Sequence, residues 1–168
     1  MNEEGSGTAS VTLRPAVQKD APAIGAVFDA AVSVGWTYLG DLATTPMFTA
    51  QDWEQLVSDH QPPNALLVAV DESDRVLGYS AAHPADGEMF LLFVDPVHAG
   101  RGVGRALLNG AHDALRAAGC TQAYLFVHED NQRALAVYAA AGYRPDGSDR
   151  VSDFRGRRIR ELRLVTQL

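Results

Sequence analysis

The segment "DPVHAGRGVGRALL" (residues 95–108) sets Gly100, Gly102 and Gly104 at alternate positions, with Arg101 and Arg105 beside them. An aliphatic run, "EMFLLFV", comes just before it, and a helix-like pattern follows. The order strand, glycine-rich turn, helix is how a protein builds an anion site. The first amides of a helix have no intrahelical partner, and the aligned dipole adds roughly half a positive charge there. Glycine lets the main chain approach a phosphate with no Cβ in the way, and two arginines add charge. A P-loop would need G-x-x-x-x-G-K-[ST], which the chain lacks. A G-x-G-x-x-G fingerprint begun at Gly102 meets Leu107 where glycine is required, and the register from Gly100 fails as well. The expectation is an anion site outside the classical nucleotide folds.

The elements that position this segment can be read from pattern. "VTLRPA" (11–16) is expected to be a strand. Asp20 is placed to cap a helix over "APAIGAVFDAAVSVGW", with Pro22 in its first turn and Ile24, Val27, Phe28 and Ala31 on one face. A second short helix is capped near Thr49. "ALLVAVD" and "RVLGYSAAH" are strands joined by the polar turn "ESD". "EMFLLFVDP" does not alternate, which predicts a central strand buried on both faces. Val103, Leu107, Ala111 and Leu115 then mark a helix that Gly119 ends. "QAYLFVH" is a fifth strand, and "NQRALAVYAAAG" a helix capped by Asn131. A hairpin around Arg155 and Gly156 closes the chain. One α/β domain over residues 11–168 is expected, after a short disordered tail at 1–10.

Composition narrows the function classes. The 168 residues carry a net charge of −7. Residues 1–99 hold 3 basic and 14 acidic side chains, whereas residues 100–168 hold 11 and 7. The asymmetry reads either as drift between two solvated surfaces or as a second half that meets an anion while the first meets something neutral or cationic. No apolar run approaches the ~20 residues of a membrane span, and residues 1–10 lack the regions of a signal peptide. A single cysteine, Cys120, rules out an intrachain disulfide or a multi-cysteine zinc site. The expectations are a cytoplasmic protein, no metal, no membrane and no nucleic acid. "RGRRIR" (155–160) reads as a solvated strand edge, because Asp146, Asp149, Asp153 and Glu161 flank it.

The specific resemblance lies in two motifs. "LLFVDPVHAGRGVGRALL" resembles the central motif of the GCN5-related N-acetyltransferase (GNAT) superfamily, [Q/R]-x-x-G-x-[G/A] after a strand ending in an aliphatic-x-Val-x-Pro pattern. "LFVHEDNQRALAVYAAAGYRP" resembles the family's later segment: a strand, Asn-x-x-Ala, a tyrosine, then glycine and an aromatic. Together they cover roughly residues 88–145. One position departs: Ala99 stands where the family usually has Gln or Arg.

The resemblance implies a GNAT-type α/β fold, a mixed, mostly antiparallel sheet whose two central parallel strands splay apart. It implies acetyl-CoA as cofactor. The pantetheine arm would meet Leu92 and Val94, and the pyrophosphate would lie on the amides of Ala99, Gly100, Arg101, Gly102, Val103, Gly104 and Arg105. Asn131 would touch the cofactor, cap a helix, or do both. Tyr138 matches the tyrosine that gives a proton to the departing thiolate, and Glu88 matches a carboxylate that acts as base through water. His83, His128 and Glu129 are further candidates for the base, as is water alone. A base matters because less than about one part in a thousand of a lysine-type amine is neutral near pH 7.

The acceptor, a small-molecule or peptide amine, is expected among the first two helices and the final hairpin. Trp36, Tyr38, Asp41 and Phe48 are its candidate lining, with Trp53 assigned to packing. An N-acetyltransferase is the leading expectation. A non-catalytic acyl-CoA-binding or sensing domain of the same fold is the alternative, favoured by Ala99 and the unassigned base. A homodimer is compatible with the family.

Overall fold

The computed structural model describes residues 11–168, and the expected tail at 1–10 lies outside the described residues. Seven strands form one sheet in the order β1-β2-β3-β4-β5-β7-β6. They are β1 (Thr12–Pro15), β2 (Ala65–Val70), β3 (Val76–His83), β4 (Glu88–Val94), β5 (Gln122–His128), β6 (Arg144–Phe154) and β7 (Arg157–Gln167). The helices are α1 (Ala21–Gly35), α2 (Ala50–Asp59), α3 (Val103–Ala117) and α4 (Gln132–Ala140). All neighbouring strands run antiparallel except β4 and β5, which are parallel and register at one pair, Glu88 with Tyr124. From there the two central strands part, as the resemblance implied.

Alternation along the strands sends side chains to two faces. One cluster joins α1 and α2 to the sheet through Ile24, Phe28, Val32, Trp53, Val68 and Tyr79. Trp53 packs there, its ring centroid 5.1 Å from that of Phe28. The opposite face is covered by α3, with Val103 and Leu107 on Ala69 and Leu77. Further along, Leu108, Ala111 and Leu115 meet Met89, Leu125 and α4.

Two local expectations are corrected. Asp20 stands at the head of α1, yet its side chain does not cap the helix. Its buried carboxylate accepts from the Arg14 guanidinium at 2.7 and 3.0 Å and from the Val17 amide at 2.9 Å. A bidentate charged partner outcompetes a neutral helix amide. β4 is central but not buried on both faces. Phe90 is exposed and Leu91 through Val94 are half-buried, because β5 diverges and leaves an open edge.

Candidate active site

The register of β4 determines what its open edge offers. The Asp95 amide donates to the Leu77 carbonyl at 2.9 Å, placing residue 95 on the bonded side toward β3. In an antiparallel pair that side alternates, so Phe93 and Leu91 also face β3. The backbone groups of Leu92 and Val94 therefore face the gap toward β5, where no strand pairs with them. Phe90 is the extra residue of a bulge between the pairs Met89–Ala82 and Leu91–Ala81. Such a bulge bends its strand, here where β4 leaves β5.

The gap opens into a groove of about 230 Å³ whose lining includes Leu92, Val94, Gly100, Gly104, Asn131 and Tyr138. At its far wall α3 begins. Gly102 occupies the cap position at φ +86° with no side chain to bond, and the first helical bond runs from the Ala106 amide to the Gly102 carbonyl. The amides of Val103, Gly104 and Arg105 are left without intrahelical partners. By contrast, Thr49 caps α2 and the Asn131 carboxamide caps α4 by accepting from the Ala134 amide at 3.1 Å. Within the protein itself, backbone conformation is what favours glycine at two of these positions. A Cβ at Gly100 or Gly102 would meet nothing within 4 Å, but both hold positive φ, +76° and +86°. Gly104 differs: its backbone is helical, a Cβ would make only ordinary contact with Val94, and it borders the groove.

These features fit the cofactor implied by the motifs. Free amides at a helix start suit a pyrophosphate, and an unpaired strand edge suits the amide-bearing pantetheine arm. Leu92, Val94, Ala99, Gly100, Gly104, Asn131 and Tyr138 border the groove. Arg101, Gly102 and Arg105 are exposed beside it, while the Val103 side chain is buried in the core, leaving only its amide for a ligand. Asn131 is both cap and groove residue.

A second groove of about 210 Å³ shares Trp36, Asn131 and Tyr138 with the first and adds Glu88, Phe90, Phe126, His128, Arg150 and Glu161. Tyr138 and Glu88, the two expected catalytic residues, thus border one space. Tyr138 is held by packing: its ring lies edge-on to Tyr143, centroids 5.7 Å apart, and the Tyr143 hydroxyl bonds His112 Nε2 on α3 at 2.7 Å. Burial pushes the Tyr138 hydroxyl well above the usual phenol range, so it keeps its proton at neutral pH. Opposite, the His128 Nδ1 lies 2.7 Å from the Tyr38 hydroxyl, and its Nε2 faces Glu161 at 3.8 Å. Glu161 is paired at 2.7 Å with Arg150, whose guanidinium stacks 3.9 Å above the Phe126 ring. Burial holds His128 below the usual imidazole range, outweighing the nearby carboxylates.

The expected acceptor lining divides. Trp36 borders both grooves, and Tyr38 reaches the site through His128. Asp41 and Phe48 do not border either groove. Phe48 packs outside on Phe28 and Trp53, and the Asp41 carbonyl caps the turn at Thr44 and Thr45. The reading missed Phe90, Phe126, Arg150 and Glu161. Their shared groove is created by long-range pairing, such as His128 opposite Glu161 between β5 and β7.

Among solved structures, the fold is similar to that of a GCN5-related N-acetyltransferase from Rhodopseudomonas palustris. That likeness has a TM-score of 0.76 at 20% identity, covering 95% of this chain and 97% of the other. It is also similar to a GNAT superfamily phosphinothricin acetyltransferase from Sinorhizobium meliloti, solved with acetyl-CoA. Here the TM-score is 0.74 at 23% identity, with 94% and 88% covered. Among curated proteins, the chain is similar to mycothiol acetyltransferase of Saccharopolyspora erythraea, 42% identical over 79 residues. That stretch is 45% of this chain and 26% of the relative. The same protein of Beutenbergia cavernae is 40% identical over 87 residues, 49% and 29% of the two chains. The matched stretches thus span little more than a quarter of those relatives' length. The family model for the acetyltransferase (GNAT) family matches residues 29–143, well over half of the chain. The parted strands, the uncapped glycine turn and this match agree: the chain belongs to the acetyltransferase (GNAT) family, acyltransferases whose donor is acetyl-CoA.

Proposed function

We propose that residues 11–168 form an N-acetyltransferase unit that acetylates a primary amine carried on an apolar or aromatic body. The observation that carries this reading is the meeting of the two grooves at Tyr138, one with free amides and the other with aromatic walls and carboxylates. Bound acetyl-CoA supplies an activated thioester carbonyl. Leu92 and Val94 orient its arm along the open edge of β4, and the amides of residues 100–105 hold its pyrophosphate, that of Ala99 being bonded to the Pro96 carbonyl.

The acceptor amine enters the second groove as an ammonium. Trp36, Phe90 and Phe126 take its apolar part, and Glu88 and Glu161 favour its charge. One of those carboxylates is already neutralised by Arg150, which leaves Glu88 to take the proton that attack requires. Tyr138 holds a proton for the departing sulfur. Its hydroxyl is pushed up by burial, and the same dry surroundings disfavour a bare thiolate. The curated relatives' name, mycothiol acetyltransferase, belongs to proteins matched over little more than a quarter of their length.

The test is turnover of acetyl-CoA with a panel of primary amines, including 2-phenylethylamine, followed by thiol release and product mass. N-acetylated product supports the reading. Acetyl-CoA binding without product from any amine would favour a binding domain instead.

A further inference from the structure

Glu88 lines the acceptor groove, and beside Glu88 stands a pair of titratable side chains. His83 sits opposite Glu88 in the β3–β4 register, its Nδ1 3.6 Å from a Glu88 carboxylate oxygen. The other ring nitrogen of His83, Nε2, lies 2.9 Å from Nε2 of His60, the residue just past α2. His60 Nδ1 lies 2.9 Å from the Leu56 carbonyl oxygen. Phe90, the bulged residue of β4, stacks on both imidazoles, at 4.8 Å from His83 and 6.0 Å from His60.

Hydrogen-bond valence fixes where the protons sit. A carbonyl only accepts, so His60 Nδ1 carries a hydrogen. If His60 is neutral, its Nε2 is bare and accepts from the Nε2–H of His83. A neutral His83 then turns a bare Nδ1 toward an acceptor-only carboxylate, and the array is one proton short. One proton taken up by His83 Nδ1 gives that nitrogen a hydrogen to turn toward the carboxylate, 3.6 Å away and within reach of one bridging water. The three side chains thus form a unit that takes up a single proton beside the acceptor groove.

We propose that His83 and His60 are positioning residues that relay the acceptor's proton away from Glu88, an inference that rests on the transfer reading above. In each cycle the Glu88 carboxylate takes one proton from the acceptor ammonium, leaving a neutral amine. That proton passes to His83 Nδ1, giving an imidazolium whose Nε2–H is held by the bare Nε2 of His60. His83, only partly buried, then releases the Nδ1 proton to solvent, so both rings keep their tautomers and the unit returns to its starting state. The charged and titratable groups facing this array are Asp86, whose carboxylate accepts the Glu88 amide, Tyr124 on β5, and His128, Glu161 and Arg150 across the groove.

Two variants and one spectrum test it. His60→Phe keeps a ring against Phe90 but cannot carry a proton, and His83→Gln keeps polar contacts but cannot accept one. With 2-phenylethylamine and saturating acetyl-CoA, both lower kcat about tenfold. The low-pH limb of the kcat profile changes position in both variants, because the group that takes the acceptor's proton is no longer coupled to the imidazole pair. Acetyl-CoA affinity stays within about twofold, which shows that the fold is intact. In the native protein, imidazole ¹⁵N spectra show His60 as the Nδ1–H and His83 as the Nε2–H form. Glu88→Gln changes the titration of both rings. Unchanged kinetic profiles in both variants, or the opposite tautomers, overturn the relay while leaving acetyl transfer standing. A native protein that acetylates no amine overturns both together.

Discussion

The Tyr38 hydroxyl and His128 Nδ1 lie 2.7 Å apart, joining the turn after α1 to the end of β5. With the hydroxyl donating, His128 carries its own hydrogen on Nε2, facing Glu161. This bond fixes one wall of the second groove to the strand that diverges from β4. Burial holds His128 below the usual imidazole range, so the folded protein binds this proton less readily than the unfolded chain. The stability this contributes is complete above the unfolded value, about 6.5, and declines as pH falls through the lower folded one.

Tyr38→Phe is expected to cost about 1–2 kcal/mol by leaving a buried ring nitrogen without its donor. Urea unfolding at pH 7.5 measures it. His128→Gln is expected to flatten the loss of stability below about pH 6.5. A variant that declines as steeply as the native protein would place the cause elsewhere.

Asp20 makes a separate prediction about acid stability. The Arg14 guanidinium beside it holds its carboxyl below the usual carboxylate range. The pair's contribution is therefore present above the unfolded value, about 3.9, and is lost as pH falls through the folded one. Asp20→Asn is expected to lose about 2 kcal/mol at pH 7 and to show a shallower decline below about pH 4. Chemical denaturation at several pH values checks both parts.

Tyr138→Phe removes a hydroxyl and leaves the ring that packs on Tyr143. If the hydroxyl supplies a proton to the departing sulfur, kcat falls about 10²-fold or more. Acetyl-CoA affinity should change by no more than about twofold. Equal losses in binding and rate would make Tyr138 a packing residue only.

Gly102→Ala and Gly104→Leu separate two reasons for glycine. Gly102 holds φ +86°, so alanine there is expected to cost about 1 kcal/mol of stability. Gly104 is helical and borders the cofactor groove, so leucine there should leave stability nearly unchanged and weaken acetyl-CoA binding more than about tenfold. Thermal unfolding and calorimetry together distinguish them.

The groove beside the glycine turn was legible in outline because its information is local. A strand, the run Gly100 to Arg105 and a helix lie within thirty residues, and pattern alone places free amides at their junction. The acceptor half was not legible in the same way. His128 faces Glu161 through β5–β7 pairing, and His60 meets His83 through the docking of α2 on the sheet. Neither relation leaves a mark in spacing along the chain. Asp41 and Phe48 suit an amine site by residue type, an aromatic beside an acid, but the turn Thr37–Ala43 kinks at Gly40, φ +59°, and neither residue borders either groove. β4 misled in the other direction. An unbroken apolar run predicted burial on both faces, whereas those side chains line an opening that only the divergence of β5 creates.

The most direct test is amide NMR of the uniformly ¹⁵N-labelled protein titrated with acetyl-CoA. The expected result is saturable shifts concentrated at Leu92, Val94, residues 99–105 and Asn131, with β6 and the β1–β2 pair unmoved. Shifts absent from those positions at millimolar acetyl-CoA, or centred elsewhere on the sheet, would contradict the cofactor groove and the transfer chemistry built on it.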